Sequence, residues 1–221
     1  MSDTGGKDAQ AQYEFTRDWF SMHIPAWKYI LDREKPRRFL EIGSFEGRSA
    51  CHILEYAAAV ADGEVSLTCV DTWEGSIEHG QGGPVEAAMS EVERRFDHNT
   101  RLAISKAAKP ITFRKLKQKS QYALAGLIAA EATESFDLIY IDGSHEAPDV
   151  LTDATMAFLL LRIGGTLIFD DYLWSMDPPG AQDVLRMPKP AIDAFVNLYQ
   201  RKMVVYPGLP LRQLYARKTA S

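Results

Sequence analysis

Apolar residues come in blocks along the chain, and two different spacings alternate from block to block. Compact apolar runs predict five strands, at 38–42, 66–70, 111–116, 136–141 and 166–169. Apolar positions at helical spacing predict helices at 13–32, 48–60, 84–96, 120–130, 148–161 and 191–200. Two further runs, 203–206 and 212–216, lie on either side of Pro207-Gly208 and predict a closing hairpin.

The order of these elements predicts the fold. Strands alternate with helices before the hairpin, which is typical of an α/β protein. We therefore expect a Rossmann-like, doubly wound sheet of seven strands with helices on both faces, mostly parallel and with one antiparallel strand near its edge. Gly164 and Gly165 are expected to stop the helix before the fifth strand. Residues 1–12 are polar and predicted to be disordered, and residues 13–221 form a single predicted domain.

Composition narrows the class of partner. The 221 residues carry a formal net charge of −5, which argues against a broad surface for nucleic acid or anionic membrane. No apolar stretch approaches the roughly 18 residues that cross a bilayer. Cys51 and Cys69 lie inside apolar segments without the spacing of metal ligands, and we expect both to be buried and reduced. These features predict a cytoplasmic protein that binds neither nucleic acid nor membrane.

The turn after the first predicted strand carries the first candidate chemistry. In a doubly wound sheet, ligands bind at the carboxyl ends of the strands, near the point where the strand order reverses. Here Gly43 and Gly47 allow a sharp turn and a close approach to a ligand. The G-x-G-x-x-G pattern of dinucleotide-binding loops is missing, and Glu41 at the strand end favours a cationic ligand over phosphate. A purely structural strand–turn–helix remains the alternative.

A second acidic strand end follows the first. The second predicted strand runs into Val70-Asp71-Thr72-Trp73. An acidic residue at this place can accept hydrogen bonds from both hydroxyls of a ribose. Trp73 either stacks on an adenine or packs as a partly buried aromatic. Together, the two strand ends predict a site for a nucleoside cofactor.

Three more carboxylates are expected at the same edge of the sheet. Asp142 ends the fourth strand, and Asp170 and Asp171 end the fifth. Converging carboxylates repel one another unless a cation lies among them, and oxygen ligands favour a hard ion such as Mg²⁺. His145 follows Asp142 by three positions and can accept a proton near neutral pH. Alternatively, the aspartates cap helices or bind substrate, and His145 is a capping residue.

The turn at 41–49 resembles the first motif of methyltransferases of the catechol O-methyltransferase type, in which an aromatic residue replaces the middle glycine. The segments 71–73 and 141–145 look more like those of bacterial sugar and macrolide O-methyltransferases. The resemblance covers about 38–172 and implies a class I fold that binds S-adenosylmethionine. The residues expected to contact this cofactor are Glu41, Gly43, Ser44, Gly47, Ser49, Asp71, Thr72, Trp73 and Asp142.

The resemblance also implies a reaction. Related enzymes place metal ligands at the positions of Asp142, Asp170 and Asp171, although catechol-type enzymes have Asn where this chain has Asp171. They have a lysine, thought to be the base, where this chain has His145. The implied function is metal-assisted methylation of a hydroxyl on a small molecule such as a sugar, a catechol-like compound or a secondary metabolite, with His145 as the catalytic base and Mg²⁺ as the ion.

Other functions remain open at this stage. A nicotinamide-dependent dehydrogenase shares the architecture but requires the dinucleotide loop that is missing here. An accessory or regulatory protein could bind S-adenosylmethionine without transferring methyl groups. The acceptor is expected to be covered by Trp19, Phe20, His23, the loop 75–83 and residues 172–179, where specificity usually varies. A homo-oligomer is also left open.

Overall fold

The computed structural model describes residues 12–76, 79, 85–130 and 132–221. Its strands are β1 Arg38–Ile42, β2 Val65–Asp71, β3 Ile111–Lys117, β4 Phe136–Ile141, β5 Leu161–Phe169, β6 Met203–Val205 and β7 Leu214–Lys218. Its α-helices are α1 Ile24–Glu34, α2 Arg48–His52, α3 Ala58–Val60, α4 Met89–Lys106, α5 Ser120–Ala129, α6 Ala147–Leu160 and α7 Pro188–Tyr199. The π-helical turn Ile53–Ala57 joins α2 to α3, and short 3₁₀ turns lie at Ser21–His23 and Val184–Arg186.

All seven strands form one sheet, in the order β3-β2-β1-β4-β5-β7-β6. The pairs from β3 to β5 are parallel, whereas β7 runs antiparallel to both of its neighbours, β5 and β6. The strand order reverses between β1 and β4, so that the crevice of a doubly wound sheet lies above these two strands. This topology confirms the predicted Rossmann-like α/β fold with one antiparallel strand.

Helices cover both faces of the sheet and bury a separate apolar cluster on each. Trp27 of α1 and Phe96 of α4 are fully buried in one cluster. Leu124 of α5, Phe158 of α6 and Phe195 of α7 belong to the other. Burial on both faces explains why β4 is nearly all apolar. No helix in the described ranges combines the length and apolar character needed to span a membrane.

The chain before α1 differs from the prediction of one helix over 13–32. The described residues before Ser21 form no helix. Instead this segment is held against the body by side chains: the backbone N–H and the hydroxyl of Thr16 both donate to Glu46, at 2.6 and 2.8 Å. The backbone N–H of Glu14 donates to the Asn99 side chain at 2.7 Å. These distant contacts outweigh the local helical spacing. The predicted disorder concerns 1–12, of which 1–11 lie outside the described residues.

Two other helix boundaries also differ. The helix predicted to begin at Pro84, which lies outside the described residues, begins at Met89 after an extended Ala88. Gly164 and Gly165 do not stop α6, which ends at Leu160, but lie inside β5. A Cβ at Gly165 would lie 2.7 Å from the Leu161 side chain, so only glycine fits there. Gly165 therefore allows close packing against the Asp137 carbonyl of β4, at 2.8 Å from a Cβ, whereas Gly164 supplies a left-handed backbone with a φ of +82°.

Candidate functional site

Two cavities open at the carboxyl ends of the parallel strands. The first, of about 400 Å³, lies over the turns that follow β1, β2, β3 and β4. The second, of about 500 Å³, lies over the ends of β4 and β5 and reaches the segment before α1. His145 and Trp174 line both cavities. The two cavities thus meet at these side chains.

Gly43 forms the floor of the first cavity, where β1 and β4 lie side by side. It has a φ of +82°, and a Cβ there would be 1.9 Å from the carbonyl oxygen of Asp142. Its N–H donates to Val70 of β2 at 2.8 Å. A side chain at this position is incompatible with both the backbone conformation and the neighbouring strand. The predicted glycine turn is therefore present, and it keeps the cavity floor free of side chains.

Glu41 lies behind this turn rather than in the cavity. It is fully buried, and it accepts hydrogen bonds from the hydroxyls of Ser44 at 2.6 Å and Ser49 at 2.5 Å and from the thiol of Cys69 at 3.3 Å. Burial raises the pKa of Glu41. Glu41 therefore braces the turn from below, which corrects the expectation that its carboxylate faces a ligand. Ser44 and Ser49 also line a small recess of about 50 Å³ beside the turn.

Gly47 begins α2 and serves helix packing. It has a φ of +79°, and a Cβ there would lie 2.9 Å from the ring of Phe96 on α4. Gly47 is not among the residues that line the first cavity. Gly47 therefore allows α2 to pack closely against α4. Its predicted contact with the cofactor is not made through the first cavity.

Asp71 lines the first cavity at the end of β2. One of its carboxylate oxygens accepts the backbone N–H of Ser44 at 2.9 Å and of Phe45 at 3.0 Å, and the other accepts that of Trp73 at 2.7 Å. A carboxylate has about four acceptor sites, so these bonds leave capacity for a ligand hydroxyl. The three bonds also fix Asp71 against the glycine turn, as expected of an oriented binding group.

The two residues after Asp71 point in different directions. Thr72 lines the first cavity. The side chain of Trp73 is 3% exposed, its ring lies 4.7 Å from that of Phe96, and its indole N–H donates to the Phe45 carbonyl at 3.0 Å. The indole therefore packs in the core, which is the second of the two alternatives for Trp73, and the predicted stacking on an adenine is not formed.

The first cavity also includes residues that the sequence reasoning missed. Ser120 and Gln121, at the start of α5, and Asp153 of α6 line it. Ser120 and Gln121 could have been predicted, because they follow the end of β3 and all the parallel strands end at the same edge of the sheet. Asp153 is buried, and burial raises its pKa to about 7 in spite of a hydrogen bond with Ser120.

Asp153 should make stability depend on pH. Its raised pKa means that the folded state binds the proton more tightly than the unfolded chain does, so its contribution to stability is present at low pH and is lost as pH rises through about 7. We therefore expect Asp153→Asn to raise the melting temperature relative to the wild type more at about pH 8 than at about pH 5. The exposed Asp62→Asn is the control. An equal shift of the Asp153 variant at both pH values would contradict this assignment.

The second cavity has a buried acidic floor. The Tyr140 hydroxyl lies 3.0 Å from Asp142 and is also hydrogen-bonded to Asp170. Gln213 donates to the same Asp170 oxygen at 3.0 Å. Burial raises the pKa of Asp142 and of Asp170, and the neighbouring carboxylates raise both further. Asp142 lines this second cavity and not the first, so the cofactor contact predicted for it is not made through the first cavity.

The predicted metal site is not formed by these carboxylates. Asp142 and Asp170 are turned toward Tyr140, while Asp171 pairs with His145. Within the described ranges, no group of three His, Cys, Asp or Glu side chains is arranged to hold a metal ion. The arrangement does not fit Mg²⁺, which requires near-octahedral oxygen ligands. The described residues therefore do not show the metal site predicted at Asp142, Asp170 and Asp171. Hydrogen bonds to Tyr140 and His145 and the raised pKa values of Asp142 and Asp170 reduce the repulsion among the three carboxylates.

His145 and Asp171 form a pair at the junction of the cavities. The Nε2 atom of His145 lies 2.8 Å from a carboxylate oxygen of Asp171, and the imidazole stacks on Trp174 with ring centroids 3.9 Å apart. Asp171 has a left-handed backbone with a φ of +51°. When Nε2–H donates to the carboxylate, the basic lone pair lies on Nδ1. Nδ1 is itself buried, and the carboxylate on Nε2 is the kind of partner that orients a histidine base.

Part of the predicted acceptor cover is present. Trp19 and His23 line the second cavity, together with Leu173 and Trp174. Phe20, by contrast, is 5% exposed and belongs to the core. Of the loop predicted at 75–83, residues 77, 78 and 80–83 lie outside the described residues. The second cavity thus combines aromatic walls with the His145–Asp171 pair, which is suitable for a small organic molecule.

Comparison with known proteins agrees with this architecture. A family model described as "Methyltransferase domain" matches residues 40–172. An O-methyltransferase from Bacillus cereus, solved in complex with S-adenosylhomocysteine (SAH), is 15% identical with a TM-score of 0.61, over 92% of this chain and 84% of that one. The O-methyltransferase TomG from Streptomyces achromogenes, involved in tomaymycin synthesis and solved with S-adenosylmethionine, is 16% identical with a TM-score of 0.58, over 88% and 78%. No curated protein sequence matches.

Proposed function

The chain belongs to the methyltransferase-domain family, and on that premise we propose that it transfers a methyl group from S-adenosylmethionine to a hydroxyl of a small molecule. The observation that carries this proposal is the His145–Asp171 pair, which lies where the two cavities meet. One cavity would hold the cofactor, and the other the acceptor. The two free, buried cysteines, Cys51 and Cys69, support a reducing compartment, and we place the reaction in the cytoplasm.

The first cavity suits the cofactor in size and chemistry. Its volume of about 400 Å³ lies within the range of small-molecule sites. Asp71 offers an oriented carboxylate for a ribose hydroxyl, and Gly43 leaves the backbone accessible. The Bacillus cereus protein and TomG, which share this fold, were solved with SAH and with S-adenosylmethionine. These points support S-adenosylmethionine over a nicotinamide dinucleotide.

The His145–Asp171 pair would remove the acceptor's proton. When bound, S-adenosylmethionine supplies an electrophilic methyl group attached to a positively charged sulfur. His145 accepts the hydroxyl proton, and the acceptor oxygen forms a bond to the methyl carbon as the carbon–sulfur bond breaks. The proton ends on the imidazole, where Asp171 stabilises the positive charge at 2.8 Å. Alignment of the oxygen with the methyl group supplies much of the rate.

This chemistry favours an enzyme over an accessory protein. A module that only binds the cofactor needs neither a second cavity nor a histidine–carboxylate pair at its boundary. The TDP-rhamnose 3′-O-methyltransferase of calicheamicin biosynthesis has the same fold, at 15% identity and a TM-score of 0.57 over 90% of this chain and 81% of that one. Fold similarity alone leaves the acceptor open. We propose a hydroxylated small molecule as its class.

A variant of Asp71 tests the assignment of the first cavity to the cofactor. Asp71→Ala should weaken SAH binding by a few kcal/mol at most, because it removes a charge-assisted hydrogen bond to the ligand and three bonds that hold the glycine turn. Calorimetric titration of SAH into the two proteins measures the difference. Asp62→Ala, an exposed aspartate paired with Lys35, is the matched control and should bind like the wild type. Binding of NAD but of neither S-adenosylmethionine nor SAH would overturn the assignment.

A further inference from the structure

The second cavity carries charges of both signs. Carboxylates and a guanidinium line it together: Asp170, Asp171 and Arg212 are all lining residues, as is His145. His23, which is buried, lies within reach of both kinds of charge: its Nε2 is 3.9 Å from Asp170. Burial lowers the pKa of His23, and Asp171 raises it while Arg212 lowers it further. A molecule in this cavity therefore meets both carboxylates and a guanidinium.

Arg212 is held at this position by its backbone while its side chain is left largely to solvent. Its carbonyl oxygen accepts the N–H of Tyr172 at 3.0 Å, and the next residue, Gln213, is buried. The guanidinium donates to the sulfur of Met22 at 3.2 Å, and sulfur is a weak acceptor. No ion pair with Arg212 is found within the described ranges, whereas Arg48 pairs with Asp18 at 2.8 Å. The guanidinium keeps its capacity for an anion.

The carboxylates of the second cavity have partners of their own. Asp171 pairs with His145, and Asp170 is hydrogen-bonded to both Tyr140 and Gln213. The cavity is also lined by Trp19, Leu173 and Trp174, which suit a flat or apolar body.

We propose, building on the methyl transfer proposed above, that the acceptor is an anionic hydroxy compound. Its carboxylate or phosphate group is bound by Arg212, and its hydroxyl faces His145. A guanidinium binds either anion through two parallel N–H bonds, which fixes the molecule's orientation as well as adding affinity. Arg212 is then the specificity-determining residue of the second cavity. It selects acceptors that carry an anionic group in addition to the hydroxyl.

Matched pairs of probes test this selection. Protocatechuate and its neutral amide have the same ring and hydroxyls, and 3,4-dihydroxyphenyl phosphate replaces the carboxylate by a phosphate. Each is titrated by calorimetry into the full chain saturated with SAH. The wild type should bind at least one of the two anions about tenfold or more tightly than the amide, as expected for a bidentate charged contact. Which anion binds more tightly decides between the carboxylate and the phosphate.

Variants assign the preference to Arg212. Arg212→Gln should reduce the preference for the anion to about twofold or less, and Arg212→Lys should keep part of it because the charge remains. SAH affinity should not change, since Arg212 does not line the first cavity. Arg201→Gln, an exposed arginine after α7, is the control and should behave like the wild type.

Three results would overturn the proposal: equal binding of acid and amide by the wild type, a preference that persists in Arg212→Gln, or no binding of either anion. A wild-type protein that binds no SAH would instead count against the proposed function itself, and the acceptor proposal would fall with it. The SAH titration therefore separates the two failures.

Discussion

Replacing His145 by alanine is expected to lower the rate of methyl transfer about a hundredfold or more, because the variant loses the group that removes the acceptor's proton. SAH affinity should stay within a few fold of the wild type, because the cofactor's polar contacts are assigned to the turns after β1 and β2. The rate at saturating S-adenosylmethionine and the SAH dissociation constant, measured on the same preparations, separate chemistry from binding. The wild-type rate should also rise with pH as the imidazole loses its proton, and the variant should lack that rise.

Two further variants make the His145 result specific. Asp171→Asn keeps the shape of the pair but removes the charge that stabilises the protonated imidazole at 2.8 Å, so it should lose a large part of the same rate. His98→Ala is the matched control: this histidine lies on α4, bonded to the Gln12 carbonyl, and should not affect the rate. A His145→Ala variant with a wild-type rate and pH profile would assign His145 to structure or to substrate positioning.

Replacing Gly43 by alanine is expected to cost about 4 kcal/mol or more in the free energy of unfolding, or to prevent folding. Two effects add at this position. The φ of +82° is unfavourable for alanine, and the new Cβ would lie 1.9 Å from the Asp142 carbonyl oxygen. The strand ends of β1 and β4 would have to separate, and SAH binding should be lost with them. Urea unfolding and calorimetry measure the two losses.

Gly180→Ala separates these two effects. Gly180 has a similar φ of +89°, but a Cβ there meets nothing within 4 Å. Its replacement should therefore cost only the conformational term, about 1 kcal/mol. An equal small loss in both variants would mean that the strand ends adjust easily and that the close approach at Gly43 is unimportant. A much larger loss at Gly43 is the expected result.

The sheet could be predicted from the sequence because its information is local. A strand covered on both faces must be apolar along its length, and β1 and β4 were predicted with the bounds that the structure shows. The edge of the sheet where polar residues meet followed from the parallel order alone. The parallel order was therefore enough to place Asp71, Asp142 and His145 at the correct edge of the sheet without knowledge of their contacts.

The residues that were misplaced depend on distant partners. Whether Trp73 faces a ligand or the core is decided by Phe96, on a helix that the turn residues do not specify. Glu41 is buried because Ser44 of the following turn, Ser49 of α2 and Cys69 of the next strand surround it. The part of the expected helix 13–32 that precedes Ser21 did not form, because Glu14 and Thr16 bond to Asn99 and Glu46 instead. The spacing of residues along the chain does not indicate such contacts between distant residues.

The surroundings of the predicted metal ligands could not be predicted for a related reason. The strand order predicted that Asp142, Asp170 and Asp171 converge. It did not predict which other side chains lie among these carboxylates. Tyr140, two residues before Asp142 on the same strand, lies between two of the carboxylates, and His145 takes the third. Alternation along β4 was the available signal, since residues 140 and 142 point to the same side of a strand.

The most direct test of the account follows the methyl group itself. Protein is incubated in excess chelator with S-adenosylmethionine labelled in its methyl carbon and with hydroxylated acceptors that include protocatechuate, and the products are identified by mass spectrometry. The account predicts that the wild type places the label on an acceptor oxygen under these conditions and that His145→Ala loses this product about a hundredfold or more. Transfer that occurs only after Mg²⁺ is added, or that proceeds equally in His145→Ala, would contradict a reaction driven by the His145–Asp171 pair.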